Sequence, residues 1–141
     1  MARTLLCEIV TPERIVYSSE VLMVVAMTTT GEIGVLPLHA PLVSTLATGE
    51  VRLKTGEGPG DWETFAVSGG YIQVHEDKVL ILADEALAVS QIDRSRALES
   101  IDRIKARMAA LPGDATDERS ECERDLLWCE MQIKAAEKAR H

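Results

Sequence analysis

Apolar positions along this chain follow one rhythm up to residue 84 and another after residue 90. In the first part they fall in short runs, at 5–10, 15–17, 21–27, 33–36, 42–46, 51–53, 65–67, 71–74 and 79–83. The runs are rich in β-branched residues and separated by glycine, proline and polar stretches, the pattern of strands joined by turns. Thr55-Gly-Glu-Gly-Pro-Gly-Asp61 reads as a hairpin loop and His75-Glu-Asp-Lys78 as a tight turn. No helical segment interrupts the series, so a sandwich or barrel is predicted.

From residue 90 the period lengthens. Ser90-Gln-Ile-Asp93 fits a capping box with Ser90 as N-cap. Ala97, Ile101, Ile104, Met108 and Leu111 then recur at 4-3-4-3 spacing, Leu98 widening the stripe, until Pro112-Gly113 stops the helix. Asp114 or Thr116 can cap a second helix, whose stripe is Cys122, Leu126, Cys129, Ile133 and Ala136. Two short heptad patterns across a tight turn predict an antiparallel helical hairpin. The domains are therefore set at 1–87 for the β-sandwich and 88–141 for the hairpin. Glu99 with Arg103 and Glu130 with Lys134 are acid-before-base pairs at i,i+4, worth about 0.2–0.5 kcal/mol each. The seam contains two alanines and two cysteines, which bury little area. Such a hairpin depends on packing against something else.

Composition narrows the function classes. The apolar fraction of 46% supports a real core, but aromatics make up only 4%, so the core is aliphatic. The longest apolar run, residues 21–27, is far short of the roughly 20 residues that span a bilayer as a helix. The N-terminus has no long apolar stretch of the signal-peptide kind, which sets the expectation of a cytoplasmic protein. Cys7, Cys122 and Cys129 form no CxxC pair; they read as small core residues, not as a zinc set or a disulfide framework. The net charge of −8 is uneven: residues 1–89 hold 5 basic and 12 acidic side chains, residues 90–141 hold 10 and 11. No basic stripe appears, so nucleic acid is not an expected partner.

The densest motif is Gly31-Glu-Ile-Gly-Val-Leu-Pro-Leu-His-Ala-Pro-Leu42. Glycine permits positive φ and proline fixes φ, so the segment reads as a shaped loop carrying Glu32 and His39 on a stiff frame. An enzyme using His39 with Asp84 or Glu32 would lack a placed nucleophile, a metal set and a cofactor loop. Gly69-Gly70 precedes strand residues and lacks the Gly-Lys-Ser/Thr of a phosphate cradle, so it reads as a turn or bulge.

These motifs resemble the epsilon subunit of bacterial F-type ATP synthases. The 31–42 segment resembles G-E-[IL]-G-x-x-P-G-H-A-P-L, residues 65–71 the strand and Gly-Gly turn, and residues 79–84 V-x-[IV]-L-A-[DE]. The order of sandwich and two-helix tail also agrees. Leu38 departs from the pattern, which has glycine there. The resemblance implies a sandwich of about ten strands and a non-catalytic rotor subunit of a proton-translocating complex. It would lie at the cytoplasmic face of the bacterial membrane, peripheral to it and with no insertion into the bilayer. Implied partners are the gamma subunit, the loops of the c-ring and, through an extended hairpin that inhibits hydrolysis, the alpha and beta subunits. The resemblance gives Glu32 an electrostatic contact to the c-ring and His39 a packing role beside gamma. No cofactor is required; a regulatory ATP is implied by Ile92-Asp93-Arg94-Ser95-Arg96-Ala97, with Asp93, Arg96, Ala97 and Arg103 as its site. Leu87 stands where that site has a further acid. Arg119, Arg124, Lys134, Lys138 and Arg140 would meet acidic beta-subunit loops. The alternative is a generic β-sandwich adaptor whose helices bind an unrelated coiled coil.

Overall fold

The computed structural model describes residues 3–139. The chain divides into two units, the first ending at Ala88 and the second beginning at Val89.

The first unit holds nine strands: β1 (Leu5–Val10), β2 (Ile15–Val21), β3 (Met23–Thr28), β4 (Gly31–Val35), β5 (Leu42–Lys54), β6 (Trp62–Val67), β7 (Tyr71–His75), β8 (Lys78–Leu82) and β9 (Ala86–Ala88). They form two sheets that share β5. Its first residues, Leu42 to Thr45, pair with β7, which continues through β8 and β1 to β2. Its later residues pair with β3 on one side and β6 on the other, extending to β4 and β9. All ladders are antiparallel except β1 with β8, which run parallel.

Nine strands agree with the expected sandwich of about ten, although they do not match the nine apolar runs one for one. The two runs at 42–46 and 51–53 are one strand, Leu42–Lys54, which passes from one sheet to the other through residues 47–50. The added strand, β9, is only Ala-Leu-Ala, without β-branched residues, and forms by pairing with β6. The run at 21–27 is likewise divided: Val21 ends β2 and Met23 begins β3.

Alternation then builds the core. Leu5, Cys7 and Ile9 of β1, Ile72 and Val74 of β7, and Val79 and Ile81 of β8 point inward from one sheet. Val24, Ala26, Val35, Val51, Leu53, Phe65 and Val67 meet them from the other. Tyr17 closes one side edge-on to Phe65, with ring centroids 5.3 Å apart. Burial pushes the Cys7 thiol up to about 12, so at neutral pH it packs as a small apolar group.

The second unit opens with a single 3-10 turn, Val89–Gln91, followed by α1 (Arg94–Ala110) and α2 (Thr116–Ala139). Ser90 is not the N-cap. It lies in the 3-10 turn, and Asp93 caps α1 instead, its carboxylate accepting from the Arg96 amide at 3.1 Å. Asp93 has extended backbone and already carries the acceptor a cap needs. At the far end Leu111 is extended, as a residue before proline must be. For α2 the first helical bond runs from the Arg119 N–H to the Ala115 carbonyl, which places Ala115 at the N-cap in preference to Asp114 or Thr116.

The helices are antiparallel: Arg94 at the start of α1 pairs with Glu137 near the end of α2 at 2.8 Å. Ala97, Ile101, Cys122, Cys129 and Ala136 are buried, joined by Ala135. Leu98 is 43% exposed and does not widen the buried stripe, because it lies about 100° around the helix from Ala97. Neither expected i,i+4 ion pair is closed among the described residues; Arg103 donates to the Ser100 hydroxyl instead.

Candidate docking surface

The 31–42 segment is part strand and part loop. Gly31 at φ 133° and the Thr28 hydroxyl, which donates to the Gly31 carbonyl at 2.6 Å, close a turn after β3. Residues 31–35 then pair with β3 as β4, so Glu32 stands on a strand and only His39 on the loop. The expectation of one continuous loop fails because the ladder to β3 satisfies this backbone better than a turn could.

Glu32 is engaged rather than free. Its carboxylate accepts from Arg52 at 3.2 Å. The Arg52 guanidinium lies 5.6 Å from the centre of the Trp62 ring, and the Lys54 ammonium lies 5.1 Å from it. Two cations thus share one aromatic ring, and Glu32 neutralises one of them. The cluster is half-exposed, so its pairs contribute little in isolation. Trp62 was not among the residues singled out in the sequence; its signal was register, since Lys54 and Trp62 end the two strands of one hairpin and are paired across it.

The loop after β4 is a tight turn. Pro37 is the second residue, Leu38 the third with φ 68°, and the His39 N–H donates to the Leu36 carbonyl at 3.1 Å. Proline second, positive φ third and an i to i+3 bond are the signature of a type II turn, whose third position calls for glycine. Leu38 occupies it here. Its side chain is 71% exposed and Leu36 is 55% exposed. The His39 ring meets the Ala40 carbonyl at 2.6 Å through Nδ1; a carbonyl only accepts, so Nδ1 carries the hydrogen.

Asp77 ties this turn to the β7–β8 hairpin and to Arg3. It is the second central residue of the β7–β8 hairpin, where Glu76 at φ 49° and Asp77 at φ 59° match a type I′ turn. One carboxylate oxygen accepts the Leu38 N–H at 2.7 Å. The other accepts Nε and Nη2 of Arg3 at 3.1 and 3.0 Å. The Leu38 amide first, and Arg3 with it, hold the Asp77 carboxyl below the usual range. Beside this turn Lys78 pairs with Glu8 at 2.9 Å, and its hydrogen bond lowers the Glu8 carboxyl. A groove of about 530 Å³ on the outer face of β7 and β8 is lined by Gln73, His75, Glu76, Lys78 and Leu80.

His39, Glu32 and Asp84 do not form a catalytic set: no hydrogen bond or ion pair links any two of them among the described residues. Asp84 lies beside Gly69, in the turn between β6 and β7. Gly70 there has φ 111°, and a Cβ on it would fall 1.8 Å from the Leu82 carbonyl oxygen. The pair is thus a close-packed turn, not a phosphate cradle. Among the described residues no group of three or more metal-binding side chains converges, and no helix is long and apolar enough to cross a membrane.

On α1, Asp93 is occupied by the Arg96 amide, Ala97 is buried, and the Arg96 and Arg103 side chains are exposed. Leu87 lies on β9, opposite Ala66. Along α2, Arg124, Lys134 and Lys138 are exposed and Arg119 is half-buried. Arg140 lies outside the described residues.

The sequence pattern of the family described as "ATP synthase, Delta/Epsilon chain, beta-sandwich domain" matches residues 4–89. The chain is 44% identical to an ATP synthase epsilon chain of Alkalihalophilus pseudofirmus over 81% of its own length and 84% of the relative's. It is 41% identical to one of Dehalococcoides mccartyi strain BAV1, covering 94% and 92%. A chain in the cryo-EM structure of the Euglena gracilis mitochondrial ATP synthase (OSCP/F1/c-ring) superposes with a TM-score of 0.74 at 22% identity, covering 98% of this chain and 82% of that one. A chain of the Tetrahymena thermophila mitochondrial ATP synthase central stalk and c-ring superposes at 0.62 with 12% identity, covering 95% and 97%. At those identities the structural likeness speaks to the fold, while the bacterial relatives speak to kinship. The chain belongs to the family of ATP synthase epsilon chains.

Proposed function

We propose that this epsilon chain works as a rotor subunit of a proton-translocating ATP synthase at the cytoplasmic face of the bacterial membrane. In this reading the sandwich docks on gamma and on the c-ring loops, coupling ring rotation to ATP synthesis. The observation that carries it is the rigid edge built from β4, the 36–39 turn and the β7–β8 turn. That edge exposes Glu32, Leu36 and Leu38, with His39 half-buried beside them, on a backbone fixed by hydrogen bonds. A surface fixed before contact spends little conformational entropy on binding. Glu32 exchanges Arg52 for a basic ring loop, and His39 packs beside gamma.

The hairpin serves as the inhibitor of ATP hydrolysis, with Arg119, Arg124, Lys134 and Lys138 meeting acidic loops of the beta subunits when it extends. Support comes from its small-residue seam and from an end clasp, Arg94 with Glu137, that is exposed and weak. Deleting residues 90–141 is expected to raise ATPase activity of the assembled enzyme while leaving assembly intact; unchanged hydrolysis counts against inhibition.

Regulatory ATP belongs to the same reading through Asp93, Arg96, Ala97 and Arg103. Arg96, exposed in the first turn of α1, favours phosphate at that helix N-terminus, and Arg103, seven residues on, lies on the same helical face. Asp93 already spends an oxygen on the Arg96 amide and position 87 is leucine, so both oppose it. Calorimetry of the isolated chain with millimolar ATP decides: no heat removes ATP from the scheme and leaves the docking role untouched.

A further inference from the structure

We propose that Asp77 is a positioning residue for the docking loop: its carboxylate holds the 36–39 turn in the form that directs Leu38 outward. The proposal rests on the docking reading of that loop.

The need for such a residue follows from Leu38. A type II turn asks its third residue for positive φ, which glycine meets without cost and a leucine does not. Leu38 is held there nonetheless, at φ 68° with 71% of its surface exposed, so its side chain gains little from burial. The internal bond of the turn, His39 to Leu36, closes it without engaging the Leu38 N–H. That donor is met from outside, 39 residues along the chain, by Asp77 Oδ1 at 2.7 Å. A hydrogen bond to a charged acceptor is stronger than one between neutral groups.

Asp77 is itself held in place. Its backbone sits at φ 59° in the β7–β8 turn, its carbonyl accepts the Leu6 N–H at 2.9 Å, and its second carboxylate oxygen takes the Arg3 guanidinium. A hairpin anchored to β1 therefore extends one carboxylate to a neighbouring turn. The loop residue that departs from the family's glycine is thereby kept in the glycine-like conformation by a side chain outside the loop.

The test uses the full-length chain and two variants. Asp77→Gly removes the carboxylate at a φ that glycine accepts, in a turn type that favours it, so the hairpin is retained. Asp77→Asn keeps an amide oxygen for the Leu38 N–H and tolerates positive φ. Amide hydrogen exchange is followed by NMR, and rebinding is measured on ATP synthase stripped of this subunit. In Asp77→Gly the Leu38 amide is expected to exchange roughly tenfold faster or more, with β3 and β6 amides unchanged, and rebinding to weaken. Asp77→Asn is expected to restore most of both. A Leu38 amide as protected in Asp77→Gly as in the unmodified chain overturns the proposal. So does unchanged rebinding of Asp77→Gly when Glu32→Ala and His39→Ala rebind more weakly. If all three rebind normally while the Leu38 amide is exposed, it is the docking role of the loop that has failed, and the proposal falls with it.

Discussion

Leu38 shows how one side chain alters the cost of a turn without altering its shape. An L-residue in the left-handed region costs about 1–2 kcal/mol, and glycine gives part of that back through its freer unfolded chain. Leu38→Gly is therefore expected to stabilise the sandwich by about 0.5–1 kcal/mol, read as a shift of the urea midpoint at constant slope. Gly70→Ala has the opposite sign. The new Cβ would overlap the Leu82 carbonyl at a φ of 111°, and the expected loss is about 3 kcal/mol or more, seen as a lower midpoint or failure to fold. Titration supplies a third expectation. Asp77 and Glu8 both have carboxyls lowered in the folded chain, by the Leu38 amide and by Lys78 respectively. Groups of that sign give their stability above the ordinary carboxylate pKa and lose it as pH falls through the folded value. Stability is therefore expected to hold down to about pH 4 and decline below it, with Asp77→Asn flattening part of the decline. The Gly69-Gly70 and 36–39 turns were legible because glycine and proline declare backbone geometry, whereas Gly31–Val35 joined a strand. Asp77 was not legible, since its role depends on a residue 39 positions away that only folding brings near.

Elements were legible where pattern and pairing agreed. Every apolar run from 5 to 83 supplied strand residues, because alternation decides which face is buried and the β-branched residues tolerate the pleat. The errors lie where pairing overrules pattern. Residues 47–50 carry no apolar run, yet the strand continues through them, with Gly49 and Glu50 paired to β6. Ala86–Ala88 has poor strand chemistry, yet β6 offers it an unpaired edge. At the helix start two acceptors competed three residues apart, and the sequence alone ranks Ser90 above Asp93 by the capping-box rule. The 3-10 turn settles it, since it consumes Ser90. Asp93→Ala is expected to lower the stability of the hairpin by about 1 kcal/mol, and Ser90→Ala to leave it within experimental error, both by thermal unfolding followed by circular dichroism.

At the scale of the molecule, the charge imbalance noted in the sequence divides with the fold: the acidic excess belongs to the strands and the near-neutral balance to the helices. The spacing of apolar positions indicated a β unit followed by a helical hairpin. It could not reveal that β5 belongs to both sheets, because sharing is a property of pairing partners, not of the strand's own residues. The parallel union of β1 with β8 carries a consequence for synthesis. β1 emerges first, and β2 soon covers one of its edges. The other edge waits for residues 78–82, some seventy positions later. Throughout that interval a nascent chain exposes an open strand edge over Leu6–Val10, with Leu5, Cys7 and Ile9 still lacking their core. An uncovered edge of that kind recruits other strands. A ribosome stalled before residue 78 is thus the stage at which this protein is most exposed to aggregation, and the β7–β8 hairpin is the event that ends the risk.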